Sequence, residues 1–167
     1  RAVYKRLSQS TAQGLPLSWR TQGEVEKAEP SLRQRFYECV ARLARLSDDD
    51  LGSLEAEARE LEALRSEGLP GLKRGEVLGI AISVFGTTNP SAASWFKVRT
   101  FDRLGKLLLG KKLFPSDRFE IEEFEEYQAL LYRMRDLLSD WGWQPENLSH
   151  VQGFIWETCQ ERLPPVE

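Results

Sequence analysis

Val77-Leu-Gly-Ile-Ala-Ile-Ser-Val-Phe85 is the stretch on which the fold class turns. Ile80, Ile82 and Val84 alternate with Ala81 and Ser83 as in a strand, while Val77, Ile80, Ala81, Val84 and Phe85 also fall on one helical face. Periodicity alone leaves both open. No second convincing strand exists elsewhere to pair with it, and a lone strand cannot satisfy its backbone ladder, which favours a buried helix.

Toward the C-terminus the signals are helical. Asn89-Pro90 marks a turn, Ser91–Phe96 is expected to form a short helix, and Thr100 to cap the next one. That next helix carries Phe101, Leu104 and Leu108 on its inner side and Arg99, Arg103 and Lys106 as a basic ridge. Lys111 and Lys112 follow Gly110 at its C-terminal end, where cations also complement the helix dipole. From Ile121 to Trp141, Phe124, Tyr127, Leu131, Met134, Leu138 and Trp141 recur at steps of three and four, a core stripe closed by Gly142 and Pro145. Ser149 with Gln152 reads as a capping box for a last helix carrying Val151, Phe154, Ile155, Thr158 and Cys159, stopped by Pro164-Pro165.

Toward the N-terminus, Ser31 with Gln34 reads as a capping box, and Leu32, Phe36, Cys39 or Val40, Leu43 and Leu46 form an apolar stripe. Ser47 is expected to cap a second helix whose first turn holds Asp48, Asp49 and Asp50, with Leu51, Leu54, Ala58, Leu61 and Leu64 inward. The short join favours an antiparallel pair. Residues 1–30, punctuated by Gly14, Pro16, Gly23 and Pro30, read as an irregular arm. The expectation is an all-α, single compact domain of six or seven helices: an arm over 1–30, then a helical domain over 31–163. The latter divides into a helical hairpin at 31–67, a hairpin-like element with a basic segment at 68–112, and C-terminal helices at 119–163.

With 167 residues, 41% hydrophobic and 29% charged, the chain fits one folded domain and excludes collagen-like and disordered classes. Val77–Phe85 is far short of the roughly 20 apolar residues that span a bilayer, so no membrane partner is expected. The opening Arg suggests a fragment of something longer, and few cysteines with no export signal suggest an intracellular setting. Cys39 and Cys159 fall on or near apolar stripes and read as buried thiols; His150 is the only histidine. No metal site, cofactor or nucleophile triad is expected, no phosphate-loop or dinucleotide fingerprint occurs, and Glu76, Asp102 and Asp117 do not share a helical face. Catalytic activity is therefore not expected.

The net charge of −3 conceals alternating blocks. Arg1–Gly23 carries four cations and no acid; Asp48–Glu67 has eight acids against Arg59 and Arg65. Lys97–Lys112 holds Lys97, Arg99, Arg103, Lys106, Lys111 and Lys112 against Asp102, a net of +5, and Asp117–Glu126 six acids against Arg118. Such blocks serve either as mutually neutralising solvated faces or as sites for oppositely charged partners, since phosphate binding follows the local patch.

Glu67-Gly-Leu-Pro-Gly-Leu-Lys-Arg-Gly-Glu-Val77 and the apolar run after it resemble the helix-hairpin-helix element of DNA glycosylase-like repair domains, whose pattern is roughly Leu-Pro-Gly-Val-Gly-x-x-Thr-Ala. Leu69, Pro70 and Gly71 match, Leu72 stands for the small apolar residue, Lys73 replaces the second glycine, and Val77 replaces the alanine. The catalytic aspartate of that family has no counterpart: no acid lies between Glu76 and Asp102. A vaguer likeness of 79–109 and 147–159 is to helical regions of restriction and repair proteins. The resemblance implies backbone amides holding a DNA phosphate, without glycosylase chemistry.

Together these features lead to a non-catalytic nucleic-acid-binding module of a larger DNA-processing, restriction or repair protein. Lys73, Arg74, Lys97, Arg99, Arg103, Lys106, Lys111 and Lys112 are expected to contact phosphates of DNA or another nucleic acid, and Trp95 or Trp143 to stack on an exposed base. The alternative is a protein-interaction or scaffolding domain whose acidic helices meet another part of a parent protein or complex.

Overall fold

A computed structural model describes residues 19–69, 72–116 and 118–159. Among them are seven helices and no strand: α1 (Trp19–Lys27), α2 (Pro30–Leu43), α3 (Leu51–Glu67), α4 (Arg74–Thr88), α5 (Val98–Leu109), α6 (Ile121–Asp140) and α7 (Leu148–Thr158). The chain is all-α. Residues 1–18 of the expected arm, its Arg1, Lys5 and Arg6, the Pro70-Gly71 of the hairpin turn, Asp117, and the Pro164-Pro165 stop lie outside the described residues.

The ambiguous stretch is helix. Every residue from Val77 to Gly86 is buried, so α4 is apolar on all sides and runs through the middle of the molecule. That explains the missing periodicity: a helix without a solvent face writes no 3.6-residue pattern. It packs against α2, α3 and α5, and Phe85 meets Phe124 of α6 edge to face at 6.0 Å.

Helices α2 and α3 form the expected antiparallel pair. Arg35 pairs with Glu60 and Glu67 while Arg42 pairs with Glu57, partners descending as the first residues ascend. Cys39 is fully buried between them and its thiol donates to the Glu57 carbonyl at 3.4 Å; burial pushes its ionisation far up, so it is an inert thiol.

Several local expectations are corrected. Trp19–Lys27 is helical although it lies within the stretch read as an arm: Thr21 and Val25, one turn apart, are buried, a stripe of two positions too short to stand out. Glu26 anchors that helix by accepting from the Tyr37 hydroxyl at 2.9 Å. Asp50 rather than Ser47 caps α3, accepting the Ser53 N–H at 3.2 Å. Pro30 opens α2 at its first turn, and Gln34 reaches forward to Glu38 instead of back to Ser31. Helix α5 begins before Thr100, at Val98. Asn147 caps α7, receiving the Ser149 and His150 N–H groups, while Gln152 is buried. Leu108 and Trp141 are exposed, because the last turns of α5 and α6 run past the edge of the core.

The largest difference is at 91–97, where a turn through Ala92 leads into residues 93–97, which are neither helix nor strand, rather than a short helix. Four backbone groups of this segment are bonded by side chains of α4 and α6. The Phe96 N–H donates to Ser83 Oγ of α4 at 2.7 Å, the Ser94 N–H to the Tyr127 hydroxyl at 3.3 Å, and Gln128 Nε2 to the Ala92 carbonyl at 2.8 Å. The Tyr132 hydroxyl donates to the Ser91 carbonyl at 3.0 Å, and the Leu148 N–H to that of Pro90 at 2.9 Å. Phe96 stacks on Phe101 at 5.0 Å and meets Phe114 and Tyr127 at 4.7 and 5.3 Å, while its neighbour Trp95 meets Trp156 of α7 instead.

This strap crosses α4 at Gly86. A β-carbon there would lie 2.8 Å from both the Ala93 carbonyl carbon and the Ser94 nitrogen, closer than any side-chain carbon tolerates, and both are backbone atoms. Gly86→Ala is therefore expected to destabilise the fold by about 1–3 kcal/mol, read as a lower urea midpoint with retained helical circular dichroism. Tyr127 carries a second test. Burial pushes its phenol up to about 12 from its ordinary 10.0, the Ser94 bonds opposing this only partly. The fold thus prefers the neutral phenol, so its contribution is complete below pH 10 and falls between pH 10 and 12 as the unfolded chain ionises first. Stability measured from pH 9 to 12 should fall more steeply in the native chain than in Tyr127→Phe.

Candidate nucleic-acid interface

The side chains singled out as basic sites are brought together at one end and separated at the other. Lys73 precedes α4 and its N–H is held by the Glu76 carboxylate at 3.1 Å. Two residues on, Gly75 lies against α5: a β-carbon on it would meet Val98 Cγ2 at 3.5 Å. The beginnings of α4 and α5 are thus side by side, with Lys73, Lys97 and Arg99 around that junction. Steps of four and three carry Arg103 and Lys106 along the side of α5 away from buried Phe101, Leu104 and Gly105. Lys73, Arg99, Lys106 and Lys112 are exposed, and Lys97 and Arg103 half-buried. The side chain of Arg74 lies outside the described residues.

The two remaining lysines follow α5. A chain reversal at Gly110, in the left-handed region with φ 72°, turns residues 111–113 back onto the helix, so that the Lys111 carbonyl would lie 2.7 Å from a β-carbon on Gly105. Lys111 then pairs with Glu126 of α6 at 2.8 Å and is committed to the fold.

Two acids on α4 and α5 bond backbone N–H groups. Glu76 closes the start of α4, and Asp102 accepts the Phe114 N–H at 3.1 Å. Most of the larger acidic block is compensated as well: Glu55 pairs with Arg59, Glu57 with Arg42, Glu60 and Glu67 with Arg35, and Glu62 with Arg65. A polar groove of about 520 Å³ beside α3 holds Arg59, Arg65 and Arg118 with Glu62 and Glu120, mixed in sign. In the second acidic block, Glu123 accepts from Ser116 at 2.8 Å, and burial raises its carboxyl above the usual range. Glu122 and Glu125 remain exposed.

Beside the basic junction lies a feature that spacing did not reveal. Trp95, Trp143, Phe154 and Trp156 line an open groove of about 900 Å³, whose rim includes His150 and Glu157. Trp95 and Trp156 rings are 5.4 Å apart and tilted; Trp143 and Phe154 meet edge to face at 5.7 Å. Lys97 Nζ lies 4.2 Å from the centroid of the Trp156 ring, so the residue that opens α5 also forms one edge of the groove. Gly142, at φ 89°, turns the chain after α6 and directs Trp143 here, 56% exposed. His150 Nδ1 accepts the Glu146 N–H at 3.3 Å, which leaves Nε2 as its free ring nitrogen. Three of the four rings come from loop or helix-edge positions with no shared period; only the 95–97 alternation and the pair Phe154, Trp156 hint at them.

Among the described residues no group of three or more His, Cys, Asp or Glu is placed to hold a metal ion, and no helix is long and apolar enough to cross a membrane. No family model, curated protein or solved structure matches the chain.

Replacing Lys97 by Met keeps its stem but removes the cation over Trp156. The loss should cost about 0.5–1 kcal/mol of stability and shift the tryptophan emission, checked by urea titration followed by fluorescence.

Proposed function

We propose that this chain is a non-catalytic nucleic-acid-binding module, a helical part of a larger DNA-processing, restriction or repair protein. The observation that carries it is the meeting of the α4 and α5 starts, which gathers Lys73, Lys97 and Arg99 and continues into Arg103 and Lys106 along one side of α5. Guanidinium and ammonium groups along one exposed helix side suit a row of phosphates, and a local positive patch acts over short range whatever the total charge. The turn between α3 and α4, whose sequence resembles a helix-hairpin-helix, lies at the same end. Intramolecular pairing of the carboxylates on α3 weakens the alternative, in which acidic helices recruit a basic protein surface.

Five phosphate contacts on duplex DNA would give a slope of log affinity against log salt of about −4.5. Fluorescence-anisotropy titration of labelled DNA at several salt concentrations should return a slope near that value, and Arg99→Glu/Arg103→Glu/Lys106→Glu should abolish binding without loss of helicity. Absence of binding at low salt, or binding indifferent to the triple substitution, would refute the assignment.

A further inference from the structure

We infer that the Trp95, Trp143, Phe154 and Trp156 groove receives unpaired bases, so that the nucleic acid this chain binds is single-stranded, or has a single-stranded segment, where it leaves the basic face of α5. The inference rests on the nucleic-acid assignment and sharpens its substrate class. Its volume of about 900 Å³ lies in the range of sites that enclose small ligands, roughly 300–1,000 Å³. A duplex keeps its bases stacked on one another, so aromatic faces open to solvent find ring partners only in unpaired nucleotides.

Charge decides between the ligands that aromatic rings accept. Ammonium groups, such as methylated lysine, and flat neutral rings both bind aromatic faces. Here the Trp156 face already has Lys97 at 4.2 Å, and Arg99 follows two residues later. A second cation entering beside Lys97 meets like charge, whereas a nucleotide brings a phosphate toward that lysine while its base faces the rings. The polar rim is suited to base edges: Glu157 accepts hydrogen bonds, and His150 Nε2 is available beside it. A carboxylate there pairs with an exocyclic amino group, which favours cytosine, adenine or guanine over thymine.

The test uses the full chain with a labelled 12-nucleotide single strand of mixed sequence, its duplex, an all-thymine 12-mer, and a trimethyllysine peptide. Anisotropy and intrinsic tryptophan fluorescence are both read. The mixed single strand should quench tryptophan emission and bind more tightly than the duplex and the thymine strand. Trp143→Ala, at an exposed position, should weaken single-strand binding by about 5- to 100-fold, leave duplex binding unchanged, and be rescued by Trp143→Phe. Equal binding of both forms without quenching, together with an unaffected Trp143→Ala, would overturn the groove assignment while leaving the basic face intact. Failure of both the single strand and the duplex to bind would remove the nucleic-acid assignment and this inference with it. Quenching by the trimethyllysine peptide in place of DNA would make the groove a peptide site and refute the proposal.

Discussion

Residues 91–97 are backbone without a ladder of their own, and the fold is arranged around satisfying them. Buried amide and carbonyl groups that find no partner each cost on the order of 1–3 kcal/mol. Ser83 from α4 and Tyr127, Gln128 and Tyr132 from α6 supply partners to Phe96, Ser94, Ala92 and Ser91, and the first residue of α7 bonds the Pro90 carbonyl just before them. Three helices are thereby tied to residues 90–97. The aromatic cluster of Phe96, Phe101, Phe114, Phe124 and Tyr127 closes over the same place, so polar and apolar constraints fix the same geometry. Gly86 on α4 is where the strap crosses this closely.

Everything assigned to function hangs from the end of that strap. Phe96 inward requires Trp95 outward, and with the strap continuing directly into α5, Lys97 falls at the mouth of the groove. The start of α5 meets α4 a second time, where Val98 lies against Gly75. A shift of one residue in the strap would exchange Trp95 for Phe96, exposing a core ring and burying an indole, so register is strongly held. Groove and basic face are therefore parts of one corner made by α4, the strap, α5 and α7.

Helices with one buried side were legible: the stripes of α2, α3, α6 and α7 repeat at steps of three and four, and the structure forms each close to the expected bounds. Helix α4 was legible only by elimination, since burial on every side erases its period. The strap was misread because Ser91, Ala92 and Ala93 have no intrinsic objection to a helix; what forbids one is the set of partners 10 to 40 residues away, and tertiary bonds leave no local trace. Capping residues were off by two or three positions for a related reason, as Ser, Asp and Asn are close equivalents at a helix start and local packing selects among them. The basic ridge of α5 could be read from spacing, but not its junction with Lys73, nor the groove, whose rings come from the strap, the loop after α6 and α7.

Total charge is a poor guide to such a molecule. At −3 the chain should repel polyanions, yet its carboxylates are distributed so that many spend their field at short range on arginines of the same hairpin. At physiological salt, interactions between exposed charges decay over about 8 Å. A phosphate at α5 would therefore feel the side chains of that helix far more than charges beyond that range. Asp102, the single acid within α5, is drawn inward by the Phe114 N–H, and Glu76 is held by the backbone it caps. Both carboxylates thus bond backbone N–H groups of the elements that carry or follow them.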